Sequence, residues 1–188
     1  MREIEQLNYL YRLKHIDRTA LSVKNREEST AEHVYSSLIL VEYFLPKIEQ
    51  ELDELKVRRM ILSHDLVEIE AGDTYLYDDA AQQGKKEREH HAFKIIAEKI
   101  PTELAKDFFA LWIEFEENRT PEAKFCNAID KLDPIIHSAF SERDWTTNNI
   151  TETTLRAKKE AYFKEFPCIR DVFEKWVNYA KEHKFLKQ

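Results

Sequence analysis

Leu62-Ser63-His64-Asp65-Leu66-Val67-Glu68 puts an imidazole and two carboxylates into a run whose neighbours Ile61, Leu62, Leu66, Val67 and Ile69 are apolar. Core positions rarely carry His, Asp and Glu together unless something binds them. On a continuous helix His64 and Glu68 stand one turn apart on one face, with Asp65 beside them. A neutral nitrogen next to anionic oxygens is divalent-cation chemistry. Two other segments offer matching residues in apolar, helical surroundings. His33 opens a helix with Val34, Leu38, Val41 and Leu45 on its stripe, and Asp130 lies within Ala128-Ile129-Asp130-Lys131-Leu132-Asp133. Two histidines and two aspartates from three helices make a four-ligand site with room for water. Each residue alone has an ordinary explanation: His33 bonded to a carbonyl, His64 and Asp65 as a satisfied core pair, Asp130 paired with Lys131 or Arg143. The set, in this order, points to a metal.

The elements that must position these groups read as helices. Ile4, Leu7, Leu10, Tyr11 and Leu13 predict a helix over 3–14, and the polar stretch 16–29 that follows predicts an irregular loop with no element of its own. Ser29 and Glu32 have the spacing of a capping box. A third helix is expected over 52–71, carrying His64 and Asp65 past its midpoint, with Gly72 as its stop. A polar loop over 73–84, a charged helix over 85–99, one opened by Pro101 and one over about 121–142 follow. Trp145–Ile150 reads as a break before two last helices, 151–166 and 167–185. Strand-like alternation does not rise above the helical period anywhere.

Composition narrows the function classes. The chain has 188 residues, enough for one domain with a full core. With only two glycines, Gly72 and Gly84, it is a poor source of Gly-rich phosphate loops, which argues against P-loop and Rossmann folds. A formal net charge of −7 argues against nucleic-acid polymers as partners. Cys126 and Cys168 form no motif, no apolar leader opens the chain, and no segment is apolar enough for a membrane span. The expectation is a cytoplasmic, reduced protein.

The constellation His33…His64-Asp65…Asp130 resembles the HD superfamily of metal-dependent phosphohydrolases, whose ligand pattern is H…HD…D. Further stretches resemble the HD-domain 5′-deoxynucleotidases: Leu13-Lys14-His15-Ile16-Asp17-Arg18, Glu32-His33, His64 to Glu68, Gly72-Asp73, Glu122 to Phe125, and Asp130-Lys131-Leu132. The resemblance implies an all-α fold: a single HD-type helical domain over 1–188, with a motif-bearing core at about 7–140, C-terminal helices at about 151–185 and a metal site between helices. It implies a homodimer that removes the phosphate of deoxyribonucleoside 5′-monophosphates with a divalent cation (Co, Mn, Mg or Zn). It assigns His33, His64, Asp65 and Asp130 to the metal, Glu68 to activation of the attacking water, Arg18 to the phosphate, and Asp73 to the start of a substrate-contacting loop. Thr19 is a departure, because some bacterial members carry an aromatic residue there, near the sugar. His15, His90, His91, His137 and His183 are left with no catalytic role, and the segment after about 145 carries no motif. The aromatic residues Phe108, Phe109, Trp112, Phe115, Phe173 and Trp176 are expected to supply a dimer face. Competing readings are hydrolysis of another small phosphoester, such as a nucleoside triphosphate or an alarmone, and a helical interaction module with a structural metal.

Overall fold

The structure, a computed structural model, describes residues 1–23 and 26–187. Helix α1 (Arg2–Leu10) runs into a 3₁₀ turn (Tyr11–His15) and a hairpin of strands β1 (Asp17–Val23) and β2 (Arg26–Ser29). Then come α2 (Thr30–Phe44), α3 (Glu54–Ser63), α4 (Glu68–Ala71), α5 (Asp79–Gln82), α6 (Lys85–Lys99), α7 (Thr102–Glu117) and α8 (Pro121–His137). The chain closes with α9 (Glu142–Thr147), α10 (Glu152–Lys159), a 3₁₀ turn (Glu160–Phe163) and α11 (Pro167–Glu182). The fold is all-α apart from the hairpin. Among the described residues no helix is long and apolar enough to cross a membrane.

Two expectations about the site-bearing segments are corrected. Within the stretch 16–29, whose residues 24 and 25 lie outside the described residues, Asp17–Val23 and Arg26–Ser29 form an antiparallel pair, with Asp17 opposite Ser29, Val23 opposite Arg26 and an irregular register between Asp17 and Ser22. Asp17, Arg18, Glu27 and Glu28 hide it from a sequence reading, since a charged two-stranded ribbon lacks the alternation of a half-buried strand. The expected helix 52–71 is broken at the His-Asp pair. Leu66 N–H bonds to Ser63, Glu68 N–H to Asp65 and Ile69 N–H to Leu66, so i→i−3 bonds replace the α pattern. His64 Nδ1–H donates to the Ile61 carbonyl at 2.8 Å, the acceptor that Asp65 N–H uses in a regular helix. The chain thus exchanges one backbone bond for a fixed imidazole.

The helix ends match their local chemistry. Ser29 and Glu32 close the capping box at the start of α2. Gly72, at φ +74°, ends α4 in a conformation that favours glycine. Helix α8 begins with Thr120 as N-cap and Pro121 at its first position. Trp145–Ile150 is not a plain break, because Glu142–Thr147 forms a short helix that buries Trp145.

Among the described residues the core has two apolar clusters. One joins α2, α3, α8 and α11 through Val41, Met60, Ile129 and Phe173; the other gathers Leu66, Phe93, Phe108 and Trp112 under α4, α6 and α7. Of the six aromatic residues expected to form a dimer face, Phe108, Trp112, Phe115, Phe173 and Trp176 are buried within one chain, and Phe109 is half-buried against the second cluster. The large apolar side chains left exposed include Tyr35, Ile39 and Tyr43, four residues apart on one face of α2, and Leu55 and Leu62 on α3.

Candidate metal centre and substrate cavity

His33 lies in the first turn of α2, fixed by the cap at Ser29. Its Nδ1–H meets Asp133 Oδ2 at 2.7 Å, both groups buried. That contact turns the other nitrogen, Nε2, toward Asp130 Oδ1 at 3.1 Å and Asp65 Oδ2 at 3.5 Å. His64, its Nδ1–H committed to Ile61, aims Nε2 at Asp65 Oδ2, 3.2 Å away. This buried Nε2 has no hydrogen-bond partner among the described residues. The ligating atoms of His33, His64 and Asp130 all lie within 4.8 Å of one another.

This donor set fits a divalent cation. Both imidazoles use Nδ1 as a donor, which leaves Nε2 lone pairs facing carboxylate lone pairs, and positive charge is needed between them. Without a cation a proton must supply it. Burial opposes charge on His64, but Asp65 and Asp130 outweigh burial and hold its pKa well above the ordinary range. Burial and Arg18 likewise oppose charge on His33, and Asp130 and Asp133 overcome them. Burial alone would raise the pKa of Asp65, yet the facing imidazoles pull it below the ordinary carboxylate range. A dication satisfies the same lone pairs without the buried proton.

Glu68 sits at the start of α4, 5% exposed, with Thr30 Oγ1 donating to its Oε2 at 2.8 Å. Burial, with Asp65 and Asp73 nearby, pushes its carboxyl up to about 8. Arg18 reaches from β1, its Nη1 3.5 Å from Asp65 Oδ2 and its Nε 3.4 Å from Glu28 Oε2. Asp73 Oδ2 accepts the Thr19 N–H at 2.7 Å, tying the loop after Gly72 to β1. Arg18, Thr19, His64, Asp65, Glu68, Asp73 and Asp130 all line one cavity of about 390 Å³, while His33 stands behind the wall. That volume is in the range of small-molecule sites.

Sequence reasoning gave no part in the site to five residues that contribute to it. Asp133 orients His33; its signal was the i, i+3 spacing from Asp130 on one face of α8. Glu28 backs Arg18 and is in turn held by His137, whose Nδ1 is 3.0 Å from Glu28 Oε1, so His137 belongs to the support of the site. Lys131 places Nζ 2.5 Å from Asp130 Oδ2, which makes the bland reading of Asp130 true of one of its oxygens. Lys159, from the segment without a motif, lines the cavity too.

Residues 10–170 match the HD domain family. The chain belongs to the HD domain family. As an HD-domain protein it is similar to the 5′-deoxynucleotidase HDDC2 of Homo sapiens, 28% identical over 141 residues that span 74% of this chain and 68% of that one. It is similar to the 5′-deoxynucleotidase hdd1 of Schizosaccharomyces pombe, 32% identical over 73% of this chain and 71% of that one. Among solved structures, a predicted metal-dependent phosphohydrolase from Magnetospirillum magnetotacticum superposes with a TM-score of 0.84 at 28% identity. The superposition covers all of this HD-domain chain and 96% of that one.

Proposed function

We propose that this protein is a divalent-metal-dependent 5′-deoxynucleotidase. It removes the phosphate from deoxyribonucleoside 5′-monophosphates within one HD-type helical domain. The observation that carries the reading is the convergence of the His33 and His64 Nε2 atoms with Asp65 and Asp130 on a cavity that Arg18 and Glu68 share. Relatives named 5′-deoxynucleotidases support the substrate class.

His33, His64, Asp65 and Asp130 would hold the ion. Once bound, it supplies Lewis-acid chemistry, cancelling charge on the phosphoryl group and lowering the pKa of a nearby water. Glu68, held by Thr30 on the wall of the same cavity, takes the proton from the attacking water. Arg18, braced by Glu28, clamps the phosphate through its planar fork. Thr19, on β1, and Asp73, on the loop after Gly72, meet the sugar side of the substrate and are joined by the Thr19 N–H to Asp73 hydrogen bond. The ion is Co, Mn, Mg or Zn.

Two free cysteines and the absence of a spanning helix among the described residues support a cytoplasmic location. The charge balance supports a small nucleotide rather than a nucleic-acid polymer as partner. We place the homodimer face on the exposed Tyr35–Ile39–Tyr43 stripe of α2. The test of the activity is phosphate release from a panel of deoxy- and ribonucleoside mono- and triphosphates and an alarmone, after chelation and re-addition of single metals. Preference for triphosphates or the alarmone would replace the substrate class, and no release from any of them would favour a structural metal.

A further inference from the structure

The C-terminal segment contributes a buried cation to the cavity for which the functional reading has no use. Lys159, the last residue of α10, is 4% exposed, and among the described residues its Nζ has one hydrogen-bond partner, the Lys131 carbonyl at 2.8 Å. An ammonium carries three donors, so two are left over. No carboxylate pairs with it among the described residues. Instead Lys131 and Arg18, both cations, lie close enough to oppose its charge, with Asp130 and Asp133 only partly offsetting them. Lys131 is already engaged by Asp130. A buried ammonium beside two other cations is costly to keep unless an anion joins them. Lys159, Lys131 and Arg18 all line the same cavity, beside the candidate metal ligands.

We infer that Lys159 is a phosphate-binding residue, closing with Arg18 and Lys131 a three-cation clamp on the phosphate of the substrate. This rests on the phosphomonoesterase reading above and adds a phosphate contact from outside the motif-bearing core. The phosphate dianion accepts the two remaining N–H donors of Lys159 and offsets the mutual repulsion of the three cations. The alternative is a purely structural lysine that ties the end of α10 to α8 through the Lys131 carbonyl.

Two variants separate these roles. Lys159→Gln keeps a donor for the Lys131 carbonyl and removes the charge; Lys159→Met removes both. Inorganic phosphate is titrated into wild type and both variants by calorimetry and by thermal unfolding. Wild type should gain Tm with phosphate. Both variants should bind phosphate at least about tenfold more weakly and lose most of that gain. In phosphate-free buffer below about pH 7, where Lys159 is charged, Lys159→Gln should melt no lower than wild type, because the repulsion is gone. With a deoxyribonucleoside monophosphate, KM should rise by a larger factor than kcat falls. Wild-type phosphate affinity in Lys159→Gln overturns the inference, and this variant decides the matter if Lys159→Met does not fold. A wild type that binds phosphate through Lys159 but hydrolyses no monophosphate would leave the inference standing and remove the proposed activity.

Discussion

Asp133 never touches the proposed ion, yet its removal should weaken metal binding. Its carboxylate accepts the Nδ1–H of His33 at 2.7 Å, with both side chains buried. It thereby fixes the tautomer that presents Nε2 and makes that nitrogen a stronger donor. Loss of such a partner typically costs about 10–100-fold in metal affinity, or about 1.4–2.8 kcal/mol. Asp133→Asn retains an acceptor but not the charge and should fall at the mild end. Asp133→Ala leaves Nδ1–H unpaired in the core and should fall at the severe end. It should also lose about 1–3 kcal/mol of folding stability. Competition against a chelating dye for Co²⁺ or Mn²⁺ gives the apparent Kd, with His33→Ala as the upper limit of the effect. Most activity should return at saturating metal, because the proposed ligands are all still present. An unchanged Kd in Asp133→Ala would refute the role of Asp133 and weaken the assignment of His33 Nε2 as a ligand.

Glu68→Ala should keep metal and nucleotide binding and lose about 10²-fold or more in turnover, whereas Arg18→Ala should weaken nucleotide binding and turnover together; calorimetry beside a phosphate-release assay checks both. Burial above all, then Lys131 and Arg18, lowers Lys159 to about 7 from its ordinary 10.5. The unfolded chain therefore binds that proton more tightly, and in phosphate-free buffer stability should be lowest below pH 7 and rise toward pH 10.5. The slope should approach about 1.4 kcal/mol per pH unit. Denaturant melts of wild type and Lys159→Met across that window should show this contribution lost in the variant, and parallel curves would contradict it. Ile39→Glu, in the middle of the exposed stripe of α2, should convert a dimer to a monomer in light scattering without loss of helicity; a wild type that is monomeric at micromolar concentration would remove the dimer.

Much of the centre was legible because its residue types are improbable where they occur. His64 and Asp65 in an apolar run, and Asp130 in another, stand out against a core that excludes such groups. The cap at Ser29 and the stop at Gly72 were legible because each acts on its nearest neighbours. What failed to show depends on partners far along the chain. The hairpin is a ribbon of charged residues that pair only with each other. The break at His64 has no proline or glycine to announce it; it comes from an imidazole taking a backbone acceptor. Phe173 and Trp176 looked like spare apolar surface because the sequence does not reveal that α11 packs on α8. Lys159 lies in a segment without a motif, and only the packing of α10 turns it inward onto the cavity.

In the proposed mechanism hydrolysis depends on an ion held by His64 with His33, Asp65 and Asp130. The most direct test measures metal stoichiometry and phosphate release on the same preparations of wild type and His64→Ala. Both proteins are stripped with chelator and reloaded with Co²⁺ or Mn²⁺. The wild type should bind the metal stoichiometrically and release phosphate from a deoxyribonucleoside monophosphate only when loaded. His64→Ala should be substoichiometric by elemental analysis and inactive. Full metal occupancy in His64→Ala, or wild-type turnover that survives chelation, would contradict the account.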